Sequence, residues 1–154
     1  MTPIEYREPA GIEELEAVFR LRFDVYANDE QLHALVPHAF GSDLGTYDVN
    51  GLHFAAFEGQ QPVAYLRMTT DAPTHFAPLV QQLMKTAGTA CQTDIKTFPF
   101  LGYYPDKAWS EAFLRSLQGR KIGEVGRLVV HTGYRQGRVL SELIAAFIAY
   151  CRDD

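Results

Sequence analysis

The chain has 154 residues, of which 47% are apolar and 12% aromatic, a composition typical of one globular domain with a substantial core. Its formal net charge of −5 disfavours a general nucleic-acid-binding surface. No apolar run approaches the ~18 residues that a membrane-spanning helix needs, and Met1 to Glu5 lacks the regions of a signal peptide. Cys91 and Cys151 match no metal-ligand spacing. We therefore expect a single cytoplasmic domain over residues 1–154 with reduced thiols, a disulfide being the alternative, and no metal site.

The first third of the chain predicts a strand, a long helix and a long connection. Ile4 to Arg7 is a short candidate strand. Gly11 to Asn28 carries apolar residues at helical spacing, with several glutamates near the positive N-terminal end of the predicted helix. Residues 29–50 show little periodicity, and a connection of this length is more typical of a lid or binding loop than of a linker without a functional role.

The remainder of the chain predicts a hairpin, two helices, a strand and a final helix. The predicted elements are strands over Leu52 to Glu58 and Pro62 to Thr69, helices over Phe76 to Thr86 and Asp106 to Leu117, a strand over Ile122 to His131 and a helix over Gln136 to Cys151. The apolar spacing in the final helix predicts a buried face formed by Leu140, Leu143, Ile144, Phe147 and Ile148.

This order of elements predicts an α/β fold, a mixed sheet flanked by helices. The last strand and helix look like the first half of a crossover unit, which normally returns to a further parallel strand. No candidate for that strand follows in the sequence. We therefore expect a chain truncated after the helix 136–151, a partner that supplies the rest, or a tolerated sheet edge.

The last predicted strand carries an acid and a base three residues apart, in the segment Gly123-Glu124-Val125-Gly126-Arg127. In a regular strand Glu124 and Arg127 point to opposite faces, whereas a bulge would bring them closer together. A charged pair in an apolar strand costs several kcal/mol to desolvate, so it often serves chemistry or recognition. A structural ion pair at a strand end is the alternative.

Several motifs in order resemble one family. The segment EVGRLVVHTGYRQGRVLSELIAAFIAYCRD is similar to the strand-loop-helix core of the GNAT acyltransferases, and most of the chain resembles their acyl-homoserine-lactone synthases and N-acyl amino acid synthases. The matching features are Arg22 in FRLRFDVY, the acids Asp43 and Asp48, Arg67 in PVAYLRM, and Glu124 with Arg127 in the ExxR strand. This likeness implies a GNAT-like, largely antiparallel sheet flanked by helices whose C-terminal strands are missing from the sequence.

The resemblance also implies an acyl transfer. The donor would be a thioester on an acyl carrier protein, or alternatively on coenzyme A, and the acceptor would be the amino group of an amino acid or related small amine. The carrier protein would be a partner and the thioester a cosubstrate, with no tightly bound cofactor. An ordinary acetyl-CoA-dependent N-acetyltransferase and a non-catalytic acyl- or carrier-protein-binding remnant are the alternatives.

The resemblance assigns roles to individual residues. Glu124 would act as the base or orienting group for the amine, together with Arg127 in the catalytic strand. Arg67 or Arg127 would pair with an acceptor carboxylate, since a guanidinium suits that geometry. Arg22, Asp43, Asp48 and Arg67 would hold the acceptor and the N-terminal loop, and backbone N–H groups of the last strand would receive the oxyanion.

The loop after the last strand departs from the GNAT pattern. Arg138 and Leu140 occupy positions where most GNAT acetyltransferases have small residues that let backbone amides approach the coenzyme A pyrophosphate. Arg135 and Arg138 would instead meet the phosphopantetheine phosphate or an acidic carrier protein, which favours a carrier-protein donor. Val129, Arg135 and Arg138 are therefore the predicted donor-binding residues.

A second departure concerns the strand that would form the other wall of the donor cleft, because no candidate for it is present. An exposed strand edge invites pairing. We therefore expect a homodimer with strand exchange, a completing chain, or a piece of a longer protein.

Each predicted site residue also has a purely structural interpretation. Arg22, like Arg20, would be a solvated helix residue, and Asp48 would cap the turn at Asn50-Gly51. Asp43 would be an acidic residue in a loop without a functional role, and Arg67 would lie on the solvent-exposed face of an edge strand. His53 is interpreted as a core histidine with satisfied hydrogen bonds and is not assigned to catalysis.

Overall fold

Four strands and four helices follow one another in the part of the chain that the computed structural model describes, which is residues 2–28, 41–89, 98–99 and 107–153. In chain order they are β1 (Ile4–Arg7), α1 (Ile12–Ala27), β2 (Gly51–Glu58), β3 (Gln61–Thr70), α2 (Ala77–Thr86), α3 (Lys107–Ser116), β4 (Gly123–Val130) and α4 (Val139–Asp153). Short 3₁₀ turns cover Thr46–Asp48 and Thr132–Tyr134.

The four strands form one open sheet in the order β1-β2-β3-β4, and every neighbouring pair is antiparallel. β2 and β3 are joined by a tight turn in which Gly59 has a left-handed φ of 64°, a conformation that glycine adopts without steric cost. The predicted α/β class, with a largely antiparallel sheet flanked by helices, is confirmed.

Each face of the sheet is covered by helices because the strands alternate apolar side chains between the two faces. Residues such as Ala55 and Tyr65 pack with α1 and α2 in one buried cluster. Their strand neighbours Phe54 and Leu66 pack with α4 in a second cluster on the opposite face. The central strands are therefore apolar on both faces, and a polar side chain within them must find its hydrogen-bond partners inside the protein.

The predicted elements are found with boundary differences of a few residues. The largest difference at a helix start is in α4, which begins at Val139 rather than near Gln136. The 3₁₀ turn Thr132–Tyr134 and the bends that follow it occupy the preceding residues. The predicted connection is described only over residues 41–50, and residues 29–40 lie outside the described part of the chain.

The predicted buried face of the final helix is wrong for three of its five members. Leu143 and Phe147 are buried, but Leu140, Ile144 and Ile148 are 40%, 39% and 46% exposed. The helix packs mainly on β1, β2 and β3 through the ridge of Leu143 and Phe147. The second apolar ridge is therefore left uncovered by the described residues. Periodicity detects both ridges equally and cannot tell which one meets the sheet.

A bulge interrupts the pairing of β3 with β4. Tyr65 pairs with Val129 and Arg67 pairs with Gly126, so three steps along β4 oppose two steps along β3. Arg127 lies in the bulge and has a left-handed φ of 52°, which is uncommon for a residue with a side chain. A bulge changes the face to which the side chains of its strand point, so Arg127 does not point to the face expected of a regular strand.

Candidate functional site

Four of the predicted site residues form one buried charged network between α1 and the sheet. Arg22 donates to Oδ2 of Asp43 from Nη2 at 2.8 Å and from Nε at 3.1 Å. It also donates to Oδ1 of Asp48 from Nη1 at 2.8 Å, and Arg67 Nη1 donates to the same oxygen at 2.7 Å. Arg22, Asp43 and Asp48 are fully buried and Arg67 is 5% exposed. Two cations and two carboxylates thus neutralise one another away from water.

Local structure explains how distant parts of the chain reach this network. Arg22 lies on the face of α1 that packs on the sheet, and the amide of Asp43 donates to the carbonyl of Phe19 at 3.2 Å, which ties the loop to the helix. Asp48 ends the 3₁₀ turn, and its Oδ2 accepts from the amide of Gly45 at 2.7 Å.

Gly51 allows the network to close around the start of β2. A Cβ atom at this position would lie 2.9 Å from Nε2 of His53, 3.0 Å from Cδ of Arg67 and 3.0 Å from the carbonyl oxygen of Asp48. A larger residue would push at least one of these groups away. The approach of the turn to β3 therefore depends on the missing side chain.

His53 and Tyr65 support the network from the sheet. The Nε2 of His53 donates to the carbonyl oxygen of Asp48 at 3.0 Å, and its Nδ1 accepts from the hydroxyl of Tyr65 at 2.8 Å, the arrangement of a neutral imidazole. Burial lowers the pKa of His53 to about 4 and outweighs the opposing effect of Asp48. The interpretation of His53 as a core histidine with satisfied hydrogen bonds is confirmed.

The network holds its charges against a strong desolvation penalty. Burial by itself favours the neutral carboxyl of Asp48, but the guanidinium groups of Arg22 and Arg67 outweigh it and hold the pKa of Asp48 below its ordinary value. Burial likewise opposes the charge of Arg22, yet Asp48, Tyr65 and Asp43 together keep the pKa of Arg22 well above its ordinary value. Asp48 and Arg22 therefore both carry their charges over the physiological pH range.

The network keeps unused hydrogen-bonding capacity. Four buried atoms have no hydrogen-bond partner among the described residues: Oδ1 of Asp43, Oδ1 of Asn50, Nε of Arg67 and Oγ1 of Thr69. An unsatisfied buried polar atom costs about 1–3 kcal/mol. Buried polar atoms without a partner are uncommon in native cores.

Arg127 extends the network to the surface. Its Nη1 lies 3.8 Å from Oδ2 of Asp43, and its guanidinium lies over the ring of Tyr26, 5.5 Å from the centroid. Its side chain is 36% exposed, unlike the fully buried carboxylate that it approaches. Arg127 therefore brings an accessible positive charge next to the buried network of Arg22, Asp43, Asp48 and Arg67.

Glu124 points to the same face of the sheet as the network. It pairs with Thr69, and directly opposed residues of an antiparallel pair project to the same side. Thr69 lies two residues beyond Arg67 on β3 and shares its face. The bulge, which lies opposite the step from Tyr65 to Arg67, brings Arg127 to this face as well. Glu124 and Arg127 therefore lie on the same side of the sheet. Glu124 itself is half-buried.

An open cleft of about 400 Å³ lies between the end of α1, the second half of β4 and the start of α4. Its lining residues are Val25, Tyr26, Leu128, Val129, Val130, Arg135 and Leu140. The lining is mostly apolar, with Arg135 as its charged member. Because Tyr26 contacts the guanidinium of Arg127, this cleft lies directly beside the charged network.

The loop between β4 and α4 carries the remaining predicted donor residues. The Nε of Arg135 donates to the carbonyl of Val130 at 3.1 Å, which holds this exposed side chain at the cleft. Arg138 is exposed one residue before α4 begins and does not line the cleft. Val129 is 3% exposed and contributes to both the cleft wall and the core.

The purely structural interpretations of Arg22, Asp48 and Arg67 that the sequence allowed are wrong. Arg22 is buried rather than solvated, whereas Arg20 is 61% exposed and pairs with Glu16 as expected for a helix surface. Asp48 satisfies the amide of Gly45 and two arginines rather than capping the next turn. Arg67 lies on a central strand and is buried.

Two residues at the site were missed from the sequence. Tyr26 lines the cleft and contacts Arg127, and Gly51 permits the close approach around His53. The helical spacing of Tyr26 indicated only a core position, although its place one turn after Arg22 was a usable signal.

Among the described residues, no cluster of three or more histidine, cysteine or acidic side chains is arranged to hold a metal ion. Within the same part of the chain, no helix combines the length and apolar character needed to cross a bilayer.

Solved structures of known proteins share this fold. Two solved structures of a CoA-dependent acyl-homoserine lactone synthase, BjaI, one with MTA and one with SAM and isopentyl-CoA, superpose with a TM-score of 0.55 at 22% identity. The match covers 92% of this chain and 55% of each BjaI chain, so this chain spans about half the length of those proteins. No curated protein matches the sequence.

The expected likeness to acyl-homoserine-lactone synthases is confirmed at the level of the fold by these structures. A family model for the acetyltransferase (GNAT) domain matches residues 21–145, which include every predicted site residue from Arg22 to Arg138. The chain therefore belongs to the GNAT acetyltransferase-domain family.

Proposed function

We propose that this chain is an N-acyltransferase domain that moves an acyl group from an acyl carrier protein thioester to the amino group of an amino acid or related small amine. The observation that carries the proposal is the apolar cleft beside a charged network that reaches the surface through Arg127. An apolar cleft suits an acyl chain and its pantetheine arm, and an exposed guanidinium suits the carboxylate of an acceptor.

The acceptor would bind on the network side of β4. Arg127 is better placed than Arg67 to pair with its carboxylate, because Arg67 is buried and already bonded to Asp48. Arg22, Asp43 and Asp48 would act indirectly by holding Arg67 and Arg127 in place, since all three are fully buried.

Glu124 would serve the chemical step. An amino group must be neutral to attack a thioester carbonyl, so an ammonium acceptor must first lose a proton. The carboxylate of Glu124 lies on the acceptor face of β4 and would take this proton directly or through water. Backbone N–H groups along β4 near Val129 would stabilise the oxyanion that forms on the carbonyl.

The donor would enter the cleft with its phosphate near the loop between β4 and α4. Arg135 and Arg138 are exposed there and suit a phosphopantetheine phosphate or an acidic carrier protein. The BjaI structures are those of a CoA-dependent enzyme, which makes acyl-CoA the second candidate donor for this chain.

A further polypeptide surface would complete the site. The exposed apolar residues Val125 and Leu128 on β4 lie at the sheet edge in the described part of the chain, and Leu140, Ile144 and Ile148 form the uncovered ridge of α4. This apolar surface supports a homodimer or a completing chain as a partner. Light scattering on the purified protein would test the homodimer, for which the expected mass is twice that of one chain.

The activity is tested with parallel donors. The protein is incubated separately with an acyl carrier protein that carries a long-chain acyl thioester, with the CoA thioester of the same acyl group, and with acetyl-CoA. Each reaction contains a mixture of amino acids, and N-acyl products are measured by mass spectrometry. Product from the carrier-protein thioester is expected. Acetylated product alone would identify an acetyl-CoA-dependent enzyme, and donor binding without product from any donor would identify a non-catalytic remnant; either result overturns the proposal.

A further inference from the structure

The backbone of Tyr134 takes part in two consecutive turns of the loop between β4 and α4. Its amide donates to the carbonyl of His131 at 2.9 Å, and its carbonyl accepts from the amide of Gly137 at 3.2 Å. Local bonds of this kind close each turn and fix its shape. They do not determine where the loop lies over the sheet, so a contact with a more distant part of the chain must set that position.

The side chain of Tyr134 makes such a contact. Its hydroxyl donates to Oε2 of Glu58 at 2.6 Å, although the two residues are 76 positions apart. Among the described residues, this is the one side-chain hydrogen bond that joins residues 131–138 to an element other than β4 and α4. Glu58 ends β2 and pairs with both Ile4 and Gln61, so the sheet holds the acceptor from two sides. A hydrogen bond to a carboxylate is also stronger than one between neutral groups.

Arg135 follows Tyr134 directly and points to the other side of the loop. Tyr134 and Glu58 line a separate groove near the start of β1, whereas Arg135 lines the donor cleft. The Nε of Arg135 donates to the carbonyl of Val130, which leaves both Nη groups without a hydrogen-bond partner among the described residues. The anchor at Glu58 therefore fixes the backbone from which an available guanidinium reaches the cleft.

We infer that the hydrogen bond between Tyr134 and Glu58 positions Arg135 to bind the phosphate of the acyl donor; this inference rests on the proposed function. Tyr134 and Glu58 are positioning residues, because neither of them lines the cleft. Loss of their hydrogen bond lets the loop move relative to the sheet and weakens the contact between the guanidinium and the phosphate. The reacting groups on β4 are not displaced, so the loss falls on donor binding rather than on the chemical step.

The inference is tested with two donors that share one acyl group and differ by one phosphate, an S-acyl-pantetheine and an S-acyl-4′-phosphopantetheine. The wild-type protein should have the lower KM for the phosphorylated donor. Tyr134→Phe should raise that KM by about tenfold, the effect of losing a hydrogen bond to a charged group. It should change the KM for the pantetheine ester, and kcat for both donors, by less than about twofold, as expected when only binding energy is lost.

Variants of Glu58 show whether the hydrogen bond itself is responsible. Glu58→Gln keeps an acceptor oxygen for the hydroxyl and should retain most of the preference for the phosphorylated donor. Glu58→Ala removes the acceptor and should raise the KM as Tyr134→Phe does. The double variant Tyr134→Phe/Glu58→Ala should be no worse than either single variant, because both remove the same interaction.

Tyr6→Phe is the matched control, because it deletes a tyrosine–carboxylate hydrogen bond of the same length, 2.6 Å to Glu142, outside the cleft. It should leave the preference for the phosphorylated donor unchanged. An equal rise in both KM values in Tyr134→Phe would mean a general structural role, and an unchanged preference would mean no role, so either outcome overturns the inference. A wild-type protein with equal KM values for the two donors would also overturn it and leave the proposed function standing. Failure of the wild-type protein with every thioester, including those of carrier protein and CoA, would overturn the proposed function itself.

Discussion

Arg22 and Arg67 donate hydrogen bonds to the same oxygen of Asp48, at 2.8 and 2.7 Å, although one arginine lies on α1 and the other on β3. The carboxylate of Asp48 therefore joins the helix to the sheet at a point with almost no exposure to water. Because the same network reaches the surface through Arg127, the stability of the fold and the geometry of the proposed site depend on the same charges.

Asp48→Asn should strongly destabilise the protein. The substitution removes the negative charge shared by two buried guanidinium groups, and Asp43 then remains as the carboxylate of the buried network. Removing one partner of a buried ion pair typically costs about 3–5 kcal/mol. Urea unfolding followed by circular dichroism measures the loss. Glu16→Gln, which breaks an exposed helix pair with Arg20, is the control and should cost no more than about 1 kcal/mol.

Stability should fall as the pH is lowered from about 6.5 to about 4, the ordinary and folded pKa values of His53. In this window the unfolded chain binds a proton at His53 that the folded protein excludes, so acid favours the unfolded state. Asp48, whose folded pKa is also lowered, adds a further loss below its ordinary pKa of 3.8.

Urea midpoints measured across this pH window check the role of His53. His53→Gln should flatten the decline between pH 6.5 and 4, because the titrating group is gone. His75→Gln is the control, since His75 is 59% exposed and lies outside the network. The same slope in wild type and His53→Gln would contradict the assignment.

Glu124→Gln should lower the turnover of acyl transfer by at least about tenfold with little effect on folding, since general-base catalysis typically contributes about 10²–10⁴-fold. The residue is half-buried and its carboxamide variant keeps its size. Glu13→Gln, an exposed acid on α1, provides the control. Unchanged turnover in Glu124→Gln under single-turnover conditions would remove Glu124 from the catalytic step.

Two substitutions at Arg127 separate the effect of its side chain from the effect of its backbone conformation. Arg127→Gly and Arg127→Val both remove the guanidinium, but only glycine adopts the left-handed φ of 52° without cost. We expect the valine variant to be less stable than the glycine variant by about 1–2 kcal/mol. Both variants should lose acyl transfer to a carboxylate-bearing acceptor. If urea unfolding finds the two equally stable, the bulge has no left-handed constraint in solution.

Arg138→Glu should raise the KM for an acyl carrier protein thioester at low salt, because it reverses an exposed charge beside the proposed donor entrance. The effect should shrink as the salt concentration rises, and it should be absent for an S-acyl-N-acetylcysteamine that carries no protein. Arg152→Glu makes the same charge change near the other end of α4 and is the control. An identical KM shift in both variants would indicate a nonspecific effect of net charge.

The exposed ridge of α4 shows a limit of sequence patterns. The spacing of apolar residues correctly predicted a helix, yet Leu143 is buried while Leu140 and Ile144 are exposed. Which ridge is covered depends on the position of the helix over β1, β2 and β3, and no local pattern contains that information.

Periodicity and motif spacing are local properties of the chain, so the amino-acid sequence was enough to predict the order of strands and helices, the family resemblance and a set of charged candidate site residues. The meeting of Arg22, Asp43, Asp48 and Arg67 depends on the three-dimensional fold, since the bonded residues are 19 to 26 positions apart and are joined by packing of α1 on the sheet. The bulge that brings Arg127 to the face of Glu124 likewise arises from strand pairing. Burial and register are set by non-local contacts, and these contacts turn separate charged residues into one site.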